Sequence, residues 1–128
     1  MSTKVLVADD SELMRAAIVR LLKEEPSIEL VGEASTFAET LQLTAALKPD
    51  VLLLDLYMPD ENEWPPEFVK AQVSHHRPCI IAISVGIDEK AHGLAASFGA
   101  RVLLDKTKLF SELMPAIKQY CSDNPIIR

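Results

Sequence analysis

Five positions in this chain combine suitable chemistry with suitable placement. Asp9 and Asp10 follow the apolar run Val5-Leu6-Val7-Ala8, and Asp55 follows Val51-Leu52-Leu53-Leu54. Ser84 closes the run that starts at Cys79, and Lys106 follows the run Arg101-Val102-Leu103-Leu104-Asp105. If these runs are neighbouring strands, their polar ends meet at one rim. Three carboxylates gathered there repel one another and raise each other's proton affinity. A divalent cation cancels that repulsion, and a set of hard oxygen ligands selects Mg²⁺ or Mn²⁺ over zinc. A cation, a lysine and a hydroxyl around one carboxylate then form a seat for a further anion. Phosphoryl transfer needs those parts: a nucleophile, a cation on the equatorial oxygens and donors for the remaining charge.

The elements that must carry these residues alternate along the chain. Residues 5–8 form a short apolar strand. Residues 11–25 place Leu13, Met14, Ala17, Ile18, Leu21 and Leu22 at helical spacing on one core-facing stripe, which Pro26 ends. Residues 28–33 read as an edge strand. Thr36 and Glu39 have capping-box spacing for a helix that runs to about Leu47, before Pro49. Residues 51–54 are apolar on both faces, as a strand covered by helices on two sides requires, and residues 79–84 repeat the pattern. A short helix is predicted over 66–74. Asp88 caps another over 89–97, with Gly99 just past its end. After a strand at 101–104, a last helix carries Leu113, Met114, Ile117 and Tyr120 or Cys121. Ser111 is its expected cap, so that Pro115 falls in the first turn. Five β-α repeats predict a parallel sheet with helices on both faces, and ligands of such sheets bind beyond the carboxyl ends of the strands.

Composition narrows the function. The chain has 128 residues, one domain's worth, and a formal charge of −6 with 5% aromatic residues. It lacks the basic face of a non-specific nucleic-acid binder and the aromatic platform of a base-stacking one. There is no apolar run near the ~20 residues of a membrane span, and no signal-peptide layout. Cys79 and Cys121 are widely separated and make no disulfide framework, so both are expected as reduced thiols in a cytoplasmic protein. The domain is expected over residues 1–122, with 123–128 as a fraying tail.

The ordered set Val7-Ala8-Asp9-Asp10, Asp55-Leu56-Tyr57-Met58-Pro59, Ser84 and Lys106 resembles the receiver domain of bacterial two-component response regulators, including the chemotaxis regulator. The resemblance runs from Val5 to about Tyr120. It implies a flavodoxin-like five-stranded parallel sheet of order 2-1-3-4-5. It also implies a signalling switch phosphorylated on Asp55 by a histidine kinase with Mg²⁺. Asp10 would be a direct metal ligand, Asp9 a ligand partly through water, and the Tyr57 carbonyl the remaining protein ligand. Ser84 would hydrogen-bond the phosphoryl group, and Lys106 would pair with Asp55 and then with a phosphoryl oxygen. Output would pass through the face of helix four, strand five and helix five, to an output domain or a second copy. The chain is expected either as a stand-alone regulator or as the receiver of a longer one; Leu-Leu-Asp-Lys-Thr resembles receivers of regulators with a helix-turn-helix output.

Three positions depart from the family pattern. Leu103 stands where an aromatic switch residue is common, and Thr107 where a proline often follows the lysine. The loop Asp60-Glu61-Asn62-Glu63-Trp64-Pro65-Pro66 is acidic and lacks glycine; it is expected either displaced from the site or folded over it. An alternative function is an Mg²⁺-dependent phosphohydrolase with an aspartate nucleophile. That class usually has a second Asp two residues on, where this chain has Tyr57. A flavin- or nucleotide-binding module would need a glycine- or hydroxyl-rich phosphate loop after the first strand, and two acids stand there instead. His75 and His76 are read as exposed loop residues away from the rim, and Trp64 as half-packed on the surface.

Overall fold

Strands whose residues are apolar on both faces take the centre of the sheet. β1 (Thr3–Ala8), β3 (Val51–Asp55) and β4 (Cys79–Ser84) are flanked by the less apolar β2 (Ile28–Ala34) and β5 (Val102–Asp105). The resulting parallel sheet has the order β2-β1-β3-β4-β5. This flavodoxin-like arrangement, with helices on both faces, is the expected one. The structure is a computed structural model and describes residues 2–121; the expected tail at 123–128 lies outside the described residues.

Alternation along the strands divides the core into two layers. Val5, Val7, Val51, Leu53, Ile81 and Ile83 face α1 (Glu12–Lys23) and α5 (Leu109–Ala116). Leu6, Ala8, Leu52, Leu54, Ile80 and Ala82 face α2 (Phe37–Leu47), α3 (Pro66–Ser74) and α4 (Glu89–Phe98). Full burial of a large aliphatic side chain contributes roughly 1.5–3 kcal/mol before entropy is counted, so these layers fix the sheet and hence the rim. Phe37 and Phe98 stack at 5.3 Å between centroids and join the ends of α2 and α4.

The helix starts and stops largely follow the side chains. The Ser11 hydroxyl accepts from the Met14 N–H, Thr36 from Glu39, and Asp88 from Ala91, each relieving an unpaired first-turn donor. Glu39 reaches back to the Ser35 N–H at 2.7 Å, one residue before the cap. Gly99 ends α4 in the left-handed region at φ 84°.

Three expectations are corrected. The last helix does not begin at Ser111. Asp105 caps a 3₁₀ turn over Lys106–Lys108, and α5 starts at Leu109, which is buried against the core. Burial of Leu109 draws the helix start upstream, so Pro115 lies inside the helix, where its missing N–H leaves the Ser111 carbonyl without its α-helical partner; a π-type turn over Ile117–Cys121 follows. Leu13, expected on the core stripe, is 84% exposed because it lies in the first turn of α1, beyond the cover of the sheet. Cys79 and Cys121 are joined by a disulfide instead of standing as two thiols. The topology returns the end of α5 to the start of β4 and brings the two Cα atoms to 5.6 Å, within the range a disulfide spans.

Candidate functional site

The carboxyl ends of β1, β3, β4 and β5 form one rim, and each strand delivers its polar residue there. Asp9 follows β1 and is fully buried. One of its oxygens, Oδ1, accepts from the Ser11 N–H at 2.8 Å, so the residue also shapes the turn into α1. Its other oxygen, Oδ2, has no partner among the described residues except the Lys106 ammonium at 2.7 Å. Asp55, the last residue of β3, is 3% exposed. Its Oδ1 accepts from the Tyr57 N–H at 3.1 Å, and its Oδ2 lies 3.3 Å from the same ammonium. Asp10 is exposed beside them. Oxygens of Asp9, Asp10 and Asp55 all lie within 4.8 Å of one another. Ser84 is buried and pairs in register with Asp105, while its neighbour Ile83 pairs with Asp55. Sheet register therefore places the hydroxyl one step from the carboxylate, and Lys106, one step past β5, reaches across to β3 and β1.

Lys106 is a shared counter-ion. Burial favours its neutral amine, but the hydrogen bond to Asp9 and the charges of Asp55 and Asp9 outweigh that and raise its pKa. Asp55 is driven the other way from an ordinary carboxylate. Burial is the main cause, the Asp9 charge adds to it, and the Tyr57 N–H and Lys106 oppose it; the balance pushes its pKa up to about 7. Two of the three carboxylates share one ammonium, so the rim is short of positive charge. A buried Asp9 oxygen served by only that ammonium, beside an exposed third carboxylate, is a donor set suited to a hard divalent cation.

Two residues that support the site carry little sequence signal. Arg15, from α1, donates to the Asp9 carbonyl at 2.7 Å and pairs with Glu33 at 3.3 Å, holding the β1 end against β2. Asp60 lies in the acidic loop after β3, and its two oxygens accept the Phe37 N–H at 2.9 Å and the Ala38 N–H at 3.1 Å. With Thr36 on the Glu39 N–H, the first three amides of α2 are satisfied. This loop, which follows Asp55, is therefore tethered to α2. Asp60 stands 23 residues from Phe37, so no local motif reveals the cap. Trp64 is half-buried and packs on Phe68 at 5.7 Å, and Lys90 lies 5.7 Å above the Tyr57 ring. His75 is exposed and His76 half-buried just before β4, at the end of the sheet opposite the acidic rim.

A parallel five-stranded sheet with buried Asp, exposed Asp, Ser and Lys at its carboxyl rim defines a receiver-type signalling domain. The chain belongs to the response regulator receiver domain family, which it matches over residues 5–118. It is 33% identical over 124 residues to the transcriptional regulatory protein LiaR of Bacillus subtilis, covering 95% of this chain and 57% of LiaR. It is 33% identical over 111 residues to a protein-glutamate methylesterase/protein-glutamine glutaminase of Anaeromyxobacter dehalogenans, covering 86% of this chain and 32% of that one. The chain thus spans a third to just over half of these relatives. Among solved structures, the response regulator domain of Thermotoga maritima CheB superposes with a TM-score of 0.80 at 25% identity, covering 94% of this chain and 97% of that one. The receiver domain of NarL from Mycobacterium tuberculosis gives 0.75 at 31%, covering 92% and 98%.

Proposed function

We propose that this chain is a phosphoacceptor switch in which Asp55 takes a phosphoryl group from a histidine kinase. The observation that carries the reading is the Lys106 ammonium, held between two buried carboxylates at 2.7 and 3.3 Å. One carboxylate, Asp55, is the acceptor, and the other, Asp9, would help Asp10 to hold a cation. An Asp55 oxygen bonds to phosphorus as the phosphorus–nitrogen bond of a phosphohistidine breaks, and the imidazole leaves with the electron pair. Asp55 must be ionised to attack, yet burial favours its protonated form; extra positive charge at the rim corrects this. Asp9, Asp10, Asp55 and the Tyr57 carbonyl would hold Mg²⁺ or Mn²⁺. When bound, such a cation supplies charge neutralisation for the phosphoryl oxygens. Lys106 has the looser of its two contacts with Asp55, so it is poised to exchange that contact for a phosphoryl oxygen. Ser84 supplies a hydroxyl donor from the adjacent strand; a hydrogen bond to a charged acceptor is worth about 1.5–3 kcal/mol.

Output is proposed to pass through the face of α4, β5 and α5, because Ser84 and Lys106 stand at the loops that lead into α4 and α5. The domain is proposed to extend through residue 122 and to act in the cytoplasm. No helix among the described residues is long and apolar enough to cross a membrane. The test is incubation with acetyl phosphate and Mg²⁺, followed by mass spectrometry. One phosphoryl group on Asp55 is expected in the wild type, with none in Asp55→Ala or in excess chelator. Phosphate on His75 or His76 instead would overturn the assignment.

A further inference from the structure

The end of the sheet opposite the acidic rim carries a second chemically competent pair. Cys79 is the first residue of β4, and Cys121 is the last residue of the π-type turn that follows α5. They are bonded to each other, and the loop they close contains β4, α4, β5 and α5. That loop holds both Ser84 and Lys106.

The same place also accommodates the reduced pair. Both residues lie in the core layer between the sheet and α5, where a free thiol packs as a small apolar group. The Cys79 sulfur lies 3.5 Å from the Tyr120 carbonyl, an acceptor that a Cys79 thiol can use once the disulfide is gone. The Arg101 guanidinium donates to that carbonyl at 2.8 Å, which keeps the turn in place in either state. Exposure differs slightly between the two: Cys79 is inaccessible and Cys121 is 6% exposed, at the end of the last described element.

We propose that Cys79 and Cys121 form a reversible dithiol–disulfide site, oxidised by low-molecular-weight disulfides, that fastens the end of α5 to the start of β4. The Cys121 sulfur, as thiolate, attacks one sulfur of an oxidant such as glutathione disulfide. A mixed disulfide forms and one glutathione leaves as the thiolate. The Cys79 thiolate then displaces the second glutathione, and the Cys79–Cys121 bond closes. Two protein thiols lose two protons and two electrons, and one oxidant disulfide becomes two thiols. In the oxidised state residues 117–121 cannot separate from β4. In the reduced state side-chain packing and the Arg101 and Cys79 hydrogen bonds hold them there.

The test uses the full 128-residue chain in glutathione buffers of increasing oxidised fraction. Samples are quenched by acid, denatured, alkylated and weighed intact. The expected result is a single transition from two alkylated thiols to none, with the protein monomeric throughout and the bond reopened by dithiothreitol without denaturant. Amide exchange of residues 117–121 should quicken by about tenfold or more on reduction, and amides of β1 should not change. Cys121→Ser should show the reduced-state exchange in all buffers and form no internal bond. If that variant does not fold, Cys121→Ala serves, and the wild-type titration stands alone in any case. Two thiols still alkylated in fully oxidised buffer would overturn the proposal. So would oxidation that only links separate chains, or a bond that opens only after unfolding.

Discussion

Replacing Asp55 by Asn should stabilise the metal-free protein, and the gain should grow with pH. The unfolded carboxyl titrates near 3.8, whereas burial raises the folded one to about 7. Between those values the folded chain holds a proton that the unfolded chain has released. Stability therefore falls as pH rises through this window and levels off above about 7. The full loss is at most roughly 4 kcal/mol at 1.36 kcal/mol per pH unit. At pH 5 somewhat more than a third of it is already incurred, so the variant's advantage should widen by roughly 2–3 kcal/mol between pH 5 and pH 8. Asn keeps an oxygen for the Tyr57 N–H but has no charge to desolvate. Urea titrations of both proteins in chelator at the two pH values measure the difference, which is about 1 M in midpoint at an m-value of roughly 2 kcal/mol/M. An advantage that is equal at pH 5 and 8, or a variant less stable at pH 8, would refute a buried Asp55 with a raised pKa.

Lys106→Met should have the opposite pH profile, losing roughly 3–5 kcal/mol near pH 8, where Asp9 and Asp55 are left buried without their counter-ion, and recovering part of it at pH 5. Asp10→Asn, at an exposed position, should fold and still abolish Mg²⁺-dependent phosphorylation, read by intact mass; undiminished labelling would remove Asp10 from the metal site. Asp60→Ala frees two first-turn amides of α2 and should cost about 1–2 kcal/mol by urea titration, with a shift in the fluorescence of Trp64, the single tryptophan, as the loop is released. Reduction of Cys79–Cys121, which closes a loop of 42 residues, should lower stability by up to about 4 kcal/mol by the chain-entropy estimate, read as a lower melting temperature in dithiothreitol.

What was legible in the sequence was local or periodic. Runs apolar on both faces gave the central strands, and Thr36, Asp88 and Gly99 marked helix ends through interactions within a few residues. The rim could be assembled because a parallel sheet sends every strand end to the same edge, so Asp9, Asp55, Ser84 and Lys106 needed only their strands to be identified. What escaped depends on long-range approach. Asp60 reaches an amide 23 residues earlier, and Arg15 pairs with Glu33, 18 residues on in β2. Cys79 and Cys121 meet because the β4-α4-β5 crossover is followed by α5, which runs back to the starting end of β4. Their spacing of 42 residues has no motif value. The start of α5 was displaced for a related reason: burial of Leu109 outweighs the capping preference of Ser111 and forces Pro115 into the interior of the helix.

The two ends of the sheet are linked through β4 itself. Cys79 opens this six-residue strand and Ser84 closes it. All four residues between them are buried and pair with β3, and from Ile81 onward the strand pairs with β5 as well. A strand held on both sides does not slide by itself, so Ser84 cannot follow an anion by moving β4. It must move through the backbone beyond the strand, where Val85 and Ile87 are exposed and Gly86 takes φ 88° before Asp88 caps α4. Leu103 is half-buried on the α4 side of β5, packed against the layer that also holds Leu94 and Phe98. It has no hydroxyl to exchange partners and no ring to occupy space that Ser84 vacates. The rearrangement should then concentrate in residues 85–88 and the first turn of α4. Amide shifts of the wild type with and without a beryllium fluoride mimic and Mg²⁺ locate it. Shifts larger at Leu103 than across residues 85–88 would contradict a switch carried by that loop.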